Sequence, residues 1–327
     1  MESATNTRDL VAAGALEGAI EDSAQLPRSP TVAARSRRPA LEVLRDYFAL
    51  TKPRIISLLL VTTLGAMFVA DPSGPGLRTI LWTMLGGYLA AGGAGAINHY
   101  LERDRDARMA RTCARPLVAG RIDPLHGLLF GIALGTLATI QLALTANLLA
   151  AVLALTGLLG YVFVYTLWLK PLTPQNIVIG GAAGAMPPLV GWAAATGGLA
   201  LDSLYLFAIV FLWTPPHFWA LSLLVKDDYE RAGIPMLPVA RGEAATRREI
   251  LVYAVALAAF TVIPFATGLF GRVYLVTALA LGIGFVGMAA QLLVRPSAAA
   301  AVRLHLASLA YLALLFCAMA ADRVILS

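Results

Sequence analysis

Residues 148–169 read LLAAVLALTGLLGYVFVYTLWL, a run without a charged side chain. A helix needs ~20 apolar residues to cross the hydrocarbon core of a bilayer, and a run that is apolar all round has no face to offer to water. Working outward, the runs 125–143 and 177–195 have the same character. Beyond them lie 79–97 and 55–70 on the N-terminal side and 203–225, 250–270, 273–294 and 304–321 on the C-terminal side. The nine stretches predict an all-α polytopic membrane bundle of about nine transmembrane helices. A transmembrane β-barrel would need segments of ~10 residues that alternate apolar and polar, and these runs do not alternate. Composition agrees: 59% of the 327 residues are hydrophobic and 13% charged, too little polar surface to cover a water-soluble domain of that size.

Residues 1–48 differ in kind. They mix charges with Ala, Ser and Pro and contain no apolar run, which reads as a disordered cytoplasmic tail ahead of a membrane domain at 49–327. Glu2, Asp9, Glu17, Glu21 and Asp22 argue against a mitochondrial transit peptide, which is poor in acids, and no cleavable secretory signal is visible. Cys113 and Cys317 lack the number and spacing of a disulfide framework, a zinc site or a thioredoxin motif. Placing the N-terminus in the cytoplasm leaves only Arg78, Arg272 and Arg323, of 25 Lys and Arg, on the far side, the bias that sets topology. The net charge of +6 is therefore a topology signal, spread over loops, and implies no nucleic-acid partner. The same reasoning expects a bacterial plasma-membrane protein whose chemistry faces the cytoplasm, because the long polar loops, 98–124 and 226–249, fall on that side.

The first of these loops begins NHYLERDRDARMARTCARPLVAGR, residues 98–121. Asn98, Glu102 and Asp106 recur every fourth position, so on a helix they share one face. Three oxygen-bearing side chains stacked at a membrane surface suit Mg²⁺, a hard cation that takes carboxylates together with phosphate oxygens and water. Asp104 points elsewhere. Arg111 and Arg115 supply forked cations of the kind that grip phosphate; the bland alternative is a solvated, salt-bridged loop. The second stretch, WTPPHFWALSLLVKDDYERAGIPMLPVARG at 213–242, carries Lys226, Asp227 and Asp228 at a helix end, where acids oppose the helix dipole. Pro215 and Pro216 should kink the helix before it, and Met186-Pro187-Pro188 should interrupt the fifth. His217 then falls inside the membrane, where an ionisable residue is a functional hypothesis by default and a packing residue otherwise. Lys52 and Arg54, entering the first helix, and Lys170, ending the fourth, are cations at the same depth. Glycines at 86, 87, 92, 93 and 95 and at 180, 181 and 184 suggest close helix approach.

The pattern Asn98-x3-Glu102-x3-Asp106 resembles the first Asp-rich motif of the UbiA-type intramembrane prenyltransferases. TKPR at 51–54, RTCARPLVAGRI at 111–122, NIVIGGAAGAMPPLVGW at 176–192, and WTPPHFWALSL with KDDYERAGIPMLPV at 213–239 resemble the branch that farnesylates protoheme IX. The resemblance spans roughly 45–325. It implies transfer of farnesyl from farnesyl diphosphate to the 2-vinyl group of heme B, with water addition giving heme O and diphosphate. By motif match, Asn98, Glu102, Asp106, Asp227 and Asp228 would hold Mg²⁺, and Lys52, Arg54, Arg111, Arg115, Lys170 and Lys226 would contact diphosphate. His217 would face heme, as axial ligand or by positioning the quenching water. The partners implied are the two substrates, the lipid bilayer, and a heme A synthase or terminal oxidase assembly. Two departures stand out: Glu102 occupies a place where the family often has Asp, and Asp227-Asp228 is an adjacent pair instead of a spaced DxxxD. The nearest alternative is prenylation of a quinone precursor. A transporter with a midplane site is the alternative of another class, and it fits less well because the acids gather at the membrane face.

Overall fold

The computed structural model describes residues 38–326; the expected tail falls outside the described residues as far as position 37. The helices are α1 (Ala40–Leu50), α2 (Pro53–Ala70), α3 (Leu77–Asp106), α4 (Pro124–Thr145), α5 (Leu148–Leu159), α6 (Asn176–Gly184), α7 (Met186–Thr196), α8 (Leu201–Leu224), α9 (Lys226–Arg231), α10 (Leu237–Ala240), α11 (Gly242–Phe260), α12 (Ile263–Ala266), α13 (Arg272–Val294) and α14 (Ala298–Leu326). Helix α5 continues without a break as a π-helix, Gly160–Leu169, and a last turn, Lys170–Leu172. Among the described residues, nine helices are long and apolar enough to cross a membrane. Residues 40–48, assigned by composition to the tail, form most of α1.

Local chemistry explains where the helices start. Pro53 and Pro124 sit in first turns, where a missing N–H is harmless. Asp123 caps α4 by accepting from Leu125 N at 2.9 Å, and Asn147 caps α5 by accepting from Ala150 N at 2.8 Å. The fifth span is interrupted at Ala185, as Met186-Pro187-Pro188 suggested. Pro215 and Pro216, by contrast, lie buried inside α8, which continues as helix through both. Two prolines remove only two successive ladder bonds, those to the carbonyls four residues earlier, and the helix runs on to Leu224.

The glycines do bring helices together. A Cβ on Gly93 of α3 would lie 2.8 Å from Gly131 O and Gly135 N of α4, and one on Gly191 of α7 would lie 2.2 Å from Thr63 O of α2. Gly184, by contrast, faces open space. Because successive spans reverse direction, the start of α2, the ends of α3 and of the π-helix, and α9 all gather at one end of the bundle. At the opposite end, the buried Asp322 of α14 accepts from Gly271 N and, at 3.0 Å, from Tyr274 N, covering the start of α13.

Candidate active site

Helix α3 runs on to Asp106, well past its apolar portion, so Asn98, Glu102 and Asp106 do share a face. All three are buried, at 1%, 3% and 1% exposure. Each meets a different cation. Lys52 Nζ donates to Asn98 Oδ1 at 2.6 Å, Lys170 Nζ to Glu102 Oε1, and Arg115 Nη1 to Asp106 Oδ2 at 2.5 Å. The π-helix and the turn that follows it supply partners for the first two positions: Asn98 Nδ2 donates to Thr166 Oγ1 at 3.1 Å, and Lys170 follows four residues on, facing Glu102. Asn98 with Thr166 and Glu102 with Lys170 have the same sequence offset, the register of two parallel helices. Thr166 Oγ1 in turn donates to Tyr161 O, five residues back, at 2.8 Å. With its proton committed there, Thr166 can only accept from the amide, which points Asn98 Oδ1 away from the π-helix and toward Lys52. A π-helix is rare and frequently marks a functional position.

Lys52 has an unusual backbone. At φ 58° and ψ 55° it is the one non-glycine residue with positive φ among those described. Such a conformation is unfavourable by ~1–2 kcal/mol and here lets the chain turn from α1 into α2 with the ammonium aimed at Asn98. Burial, with Arg115 nearby, pushes that ammonium down to about 7. Three tyrosines that sequence reasoning overlooked enclose the cluster. Tyr161 and Tyr165 stack at 5.4 Å, with Lys52 Nζ 6.0 Å from the first ring and Lys170 Nζ 5.9 Å from the second. Tyr229 of α9 is buried, which raises its phenol and keeps it neutral. Only the i, i+4 spacing of Tyr161 and Tyr165 was available as a signal, and in an apolar span that reads as core.

The second acidic stretch is arranged differently. Asp227 is exposed. Lys226 lies 3.5 Å from Glu243 of α11. Asp228 is buried, and its Oδ1 and Oδ2 accept from Ala110 N at 3.0 Å and Arg111 N at 3.2 Å, with Arg231 on Oδ1 as well. The two polar loops therefore touch at one end of the bundle, but Asp227 and Lys226 do not join the α3 face. Arg54 and Arg111 are exposed at the rim. Farther in, His217 stacks between Trp213 at 4.1 Å and His305 at 4.4 Å. Its Nδ1 lies 2.6 Å from Ser308 Oγ, whose own proton goes to His305 O, so Nδ1 is the donor and Nε2 carries the lone pair. Trp213 Nε1 donates to Ser308 O at 2.8 Å and His305 Nδ1 to His217 O at 3.2 Å, so this group also ties α8 to α14.

The donor set bears on metal. Among the described residues no three His, Cys, Asp or Glu side chains form a ready cage. Two carboxylates and an amide oxygen on one helical face, with cations beside them, instead fit Mg²⁺ arriving with a phosphorylated ligand, since Mg²⁺ usually takes one or two carboxylates and completes its shell with phosphate and water. On another side of α3, turned from this face by the helical step between Ile97 and Asn98, an apolar groove of about 530 Å³ opens between α3, α4 and α5, lined by Ile97, Leu101, Leu128, Ile132, Leu158 and Phe163 among others.

Comparison with known proteins follows the same lines. The model of the UbiA prenyltransferase family matches residues 59–319. The chain is 52% identical over 288 residues to a protoheme IX farnesyltransferase of Roseiflexus sp. (strain RS-1), covering 88% of this chain and 54% of that protein. It is 52% identical over 291 residues to one of Symbiobacterium thermophilum, covering 88% of this chain and 97% of the relative. The chain thus spans about half the length of the first of these relatives and nearly all of the second. A solved UbiA homolog from Archaeoglobus fulgidus, bound to DMAPP and Mg²⁺, superposes with a TM-score of 0.65 at 17% identity, covering 86% of this chain and 100% of that one. The chain belongs to the UbiA prenyltransferase family.

Proposed function

We propose that this protein transfers a farnesyl group from farnesyl diphosphate to the 2-vinyl group of heme B, with water addition, releasing heme O and diphosphate. The observation that carries the reading is the buried face Asn98, Glu102 and Asp106, each residue met by its own cation, at one end of an apolar bundle. Relatives about half identical to it carry the name protoheme IX farnesyltransferase, and one of them is covered almost end to end, which favours heme over a quinone precursor.

The α3 face would hold Mg²⁺, which supplies charge neutralisation for a leaving diphosphate. Lys52, Lys170 and Arg115, already converging on that face, bind the phosphate oxygens, and Arg111 and Arg54 widen the positive rim. Departure of diphosphate breaks the C–O bond and leaves an allylic cation. The terminal vinyl carbon attacks it, positive charge passes to the carbon next to the macrocycle, and water adds there with loss of a proton. Low water content protects the cation, and the groove lined by Ile97 and Leu101, on the side of α3 next to the Asn98 and Glu102 face, offers the isoprenoid tail an apolar bed. The Tyr161 and Tyr165 rings present negative faces to developing positive charge. His217 directs Nε2 to heme, as iron ligand or toward the quenching water. The site faces the cytoplasm of a bacterial inner membrane, and a heme A synthase or terminal oxidase receives the product.

Purified protein supplied with heme B, farnesyl diphosphate and Mg²⁺ should yield heme O by mass, lose activity with a chelator and regain it with Mg²⁺. Prenylation of a quinone precursor in place of heme B would overturn the substrate assignment. His217→Ala should shift the visible spectrum of bound heme if Nε2 ligates iron; an unchanged spectrum leaves the water-positioning role.

A further inference from the structure

Asp228 belongs by position to the acidic end of the sixth span, yet its carboxylate is engaged within the protein. A carboxylate offers about four lone-pair positions, and three are taken, by Ala110 N, Arg111 N and Arg231. What it grips is the turn just beyond Asp106. Thr112 Oγ1 donates back to Asp106 O at 2.9 Å, Cys113 Sγ to Ala110 O at 3.2 Å, and Met109 is buried beneath. The turn leads to Arg115, which must reach back to Asp106. Elsewhere the same chain uses the same device: Asp322 holds two backbone N–H groups of a distant segment, at the opposite end of the bundle, away from any candidate metal face.

We propose that Asp228 is a pin, a positioning residue that holds the 107–113 turn so that Arg115 meets the α3 face, and that metal binding stays with Asn98, Glu102 and Asp106. The inference rests on the metal reading of that face, and the two fail separately. Two adjacent backbone donors on one carboxylate fix position and direction together, which a single side-chain contact does not. Asp228 then acts on the reaction through the turn, without touching metal or phosphate.

Cys113 reports on the turn directly, in a Cys317→Ser background that leaves it the only thiol. Asp228→Asn keeps one acceptor and loses the other, and the rate of Cys113 alkylation by a maleimide should rise ~10-fold, the effect of one charge-assisted hydrogen bond. In the same variant, thermal stabilisation by Mg²⁺ with inorganic diphosphate should keep its Mg²⁺ half-saturation within about threefold, whereas Asp106→Asn should raise it ~100-fold or more. An unchanged Cys113 rate, or an Mg²⁺ response as weak as that of Asp106→Asn, overturns the pin. A measurement without substitution guards against a variant that misfolds. Amide exchange of the 108–113 peptide should stay slow when Mg²⁺ and diphosphate are added; faster exchange would mean that Asp228 leaves Ala110 and Arg111 for the metal. If the unsubstituted protein shows no response to Mg²⁺ with diphosphate, the metal reading of the α3 face falls, and Cys113 still decides whether Asp228 pins the turn.

Discussion

The two acidic stretches look alike in sequence and are used in opposite ways. On α3, each oxygen-bearing residue meets a cation from a different part of the chain: Lys52 from the α1–α2 turn, Lys170 from the turn after the π-helix, Arg115 from the α3–α4 loop. On α9, Asp228 meets backbone N–H groups and its own helix neighbour Arg231, while Asp227 stays in solvent. The difference lies in what sits opposite. Side-chain cations can exchange a carboxylate for a phosphate, because both are anionic acceptors and a long side chain can follow either. Backbone donors are fixed in place and bind the carboxylate as a joint.

The sharpest way to break this comparison is to neutralise one acid from each stretch. Asp106→Asn should lower heme O formation by ~10³-fold or more, the scale of losing a principal electrostatic contact in a transition state. Asp227→Asn, exposed and outside the cluster, should change it by less than about threefold. Equal losses would erase the distinction. Next in size is the buried pair. Lys170→Met leaves Glu102 charged and unpartnered and should destabilise the protein by about 3 kcal/mol, whereas Lys170→Met with Glu102→Gln should regain much of that in denaturant unfolding. A double variant no more stable than the single would show that the pair is not a closed unit.

A smaller effect tests the joint alone. Asp322→Asn should cost about 2 kcal/mol through its two backbone bonds, read as a lower Tm, with the Mg²⁺ response unaltered. The smallest effect concerns α1, held to the α3–α4 loop by Asp46. Burial pulls that carboxyl up, but hydrogen bonds from Arg38 and Arg121 outweigh it and hold it below the ordinary value. A depressed carboxylate stabilises the fold above the unfolded value of ~3.9 and loses that contribution as pH falls through the folded value. Amide exchange in α1 should therefore quicken selectively below about pH 3.9; equal quickening in Asp46→Asn would assign the change to another group.

Much of this was legible beforehand. Apolar runs of bilayer length can only be helices, because lipid offers no partner for a free backbone group, so nine spans, their order and their alternation followed from composition. The every-fourth spacing of Asn98, Glu102 and Asp106 placed them on one face for the same geometric reason. Lys52 and Lys170 were named as cations at the right depth and Arg115 as a forked cation suited to phosphate, but their pairing with Asn98, Glu102 and Asp106 depends on helix register, which single-residue pattern does not encode. The π-helix that sets that register was invisible, since an extra residue per turn leaves no mark in a uniformly apolar run.

Sequence alone thus determined the solvent of the chain, its helices and the candidate face on α3, because these depend on hydropathy and helical period, which are local. Tertiary structure alone decided that Asp228 grips a turn, that Asp227 and Lys226 stand apart, and that Tyr161, Tyr165 and Tyr229 enclose the cluster. Each of those facts depends on which distant atom lies within about 3 Å, and that is set by how the helices pack.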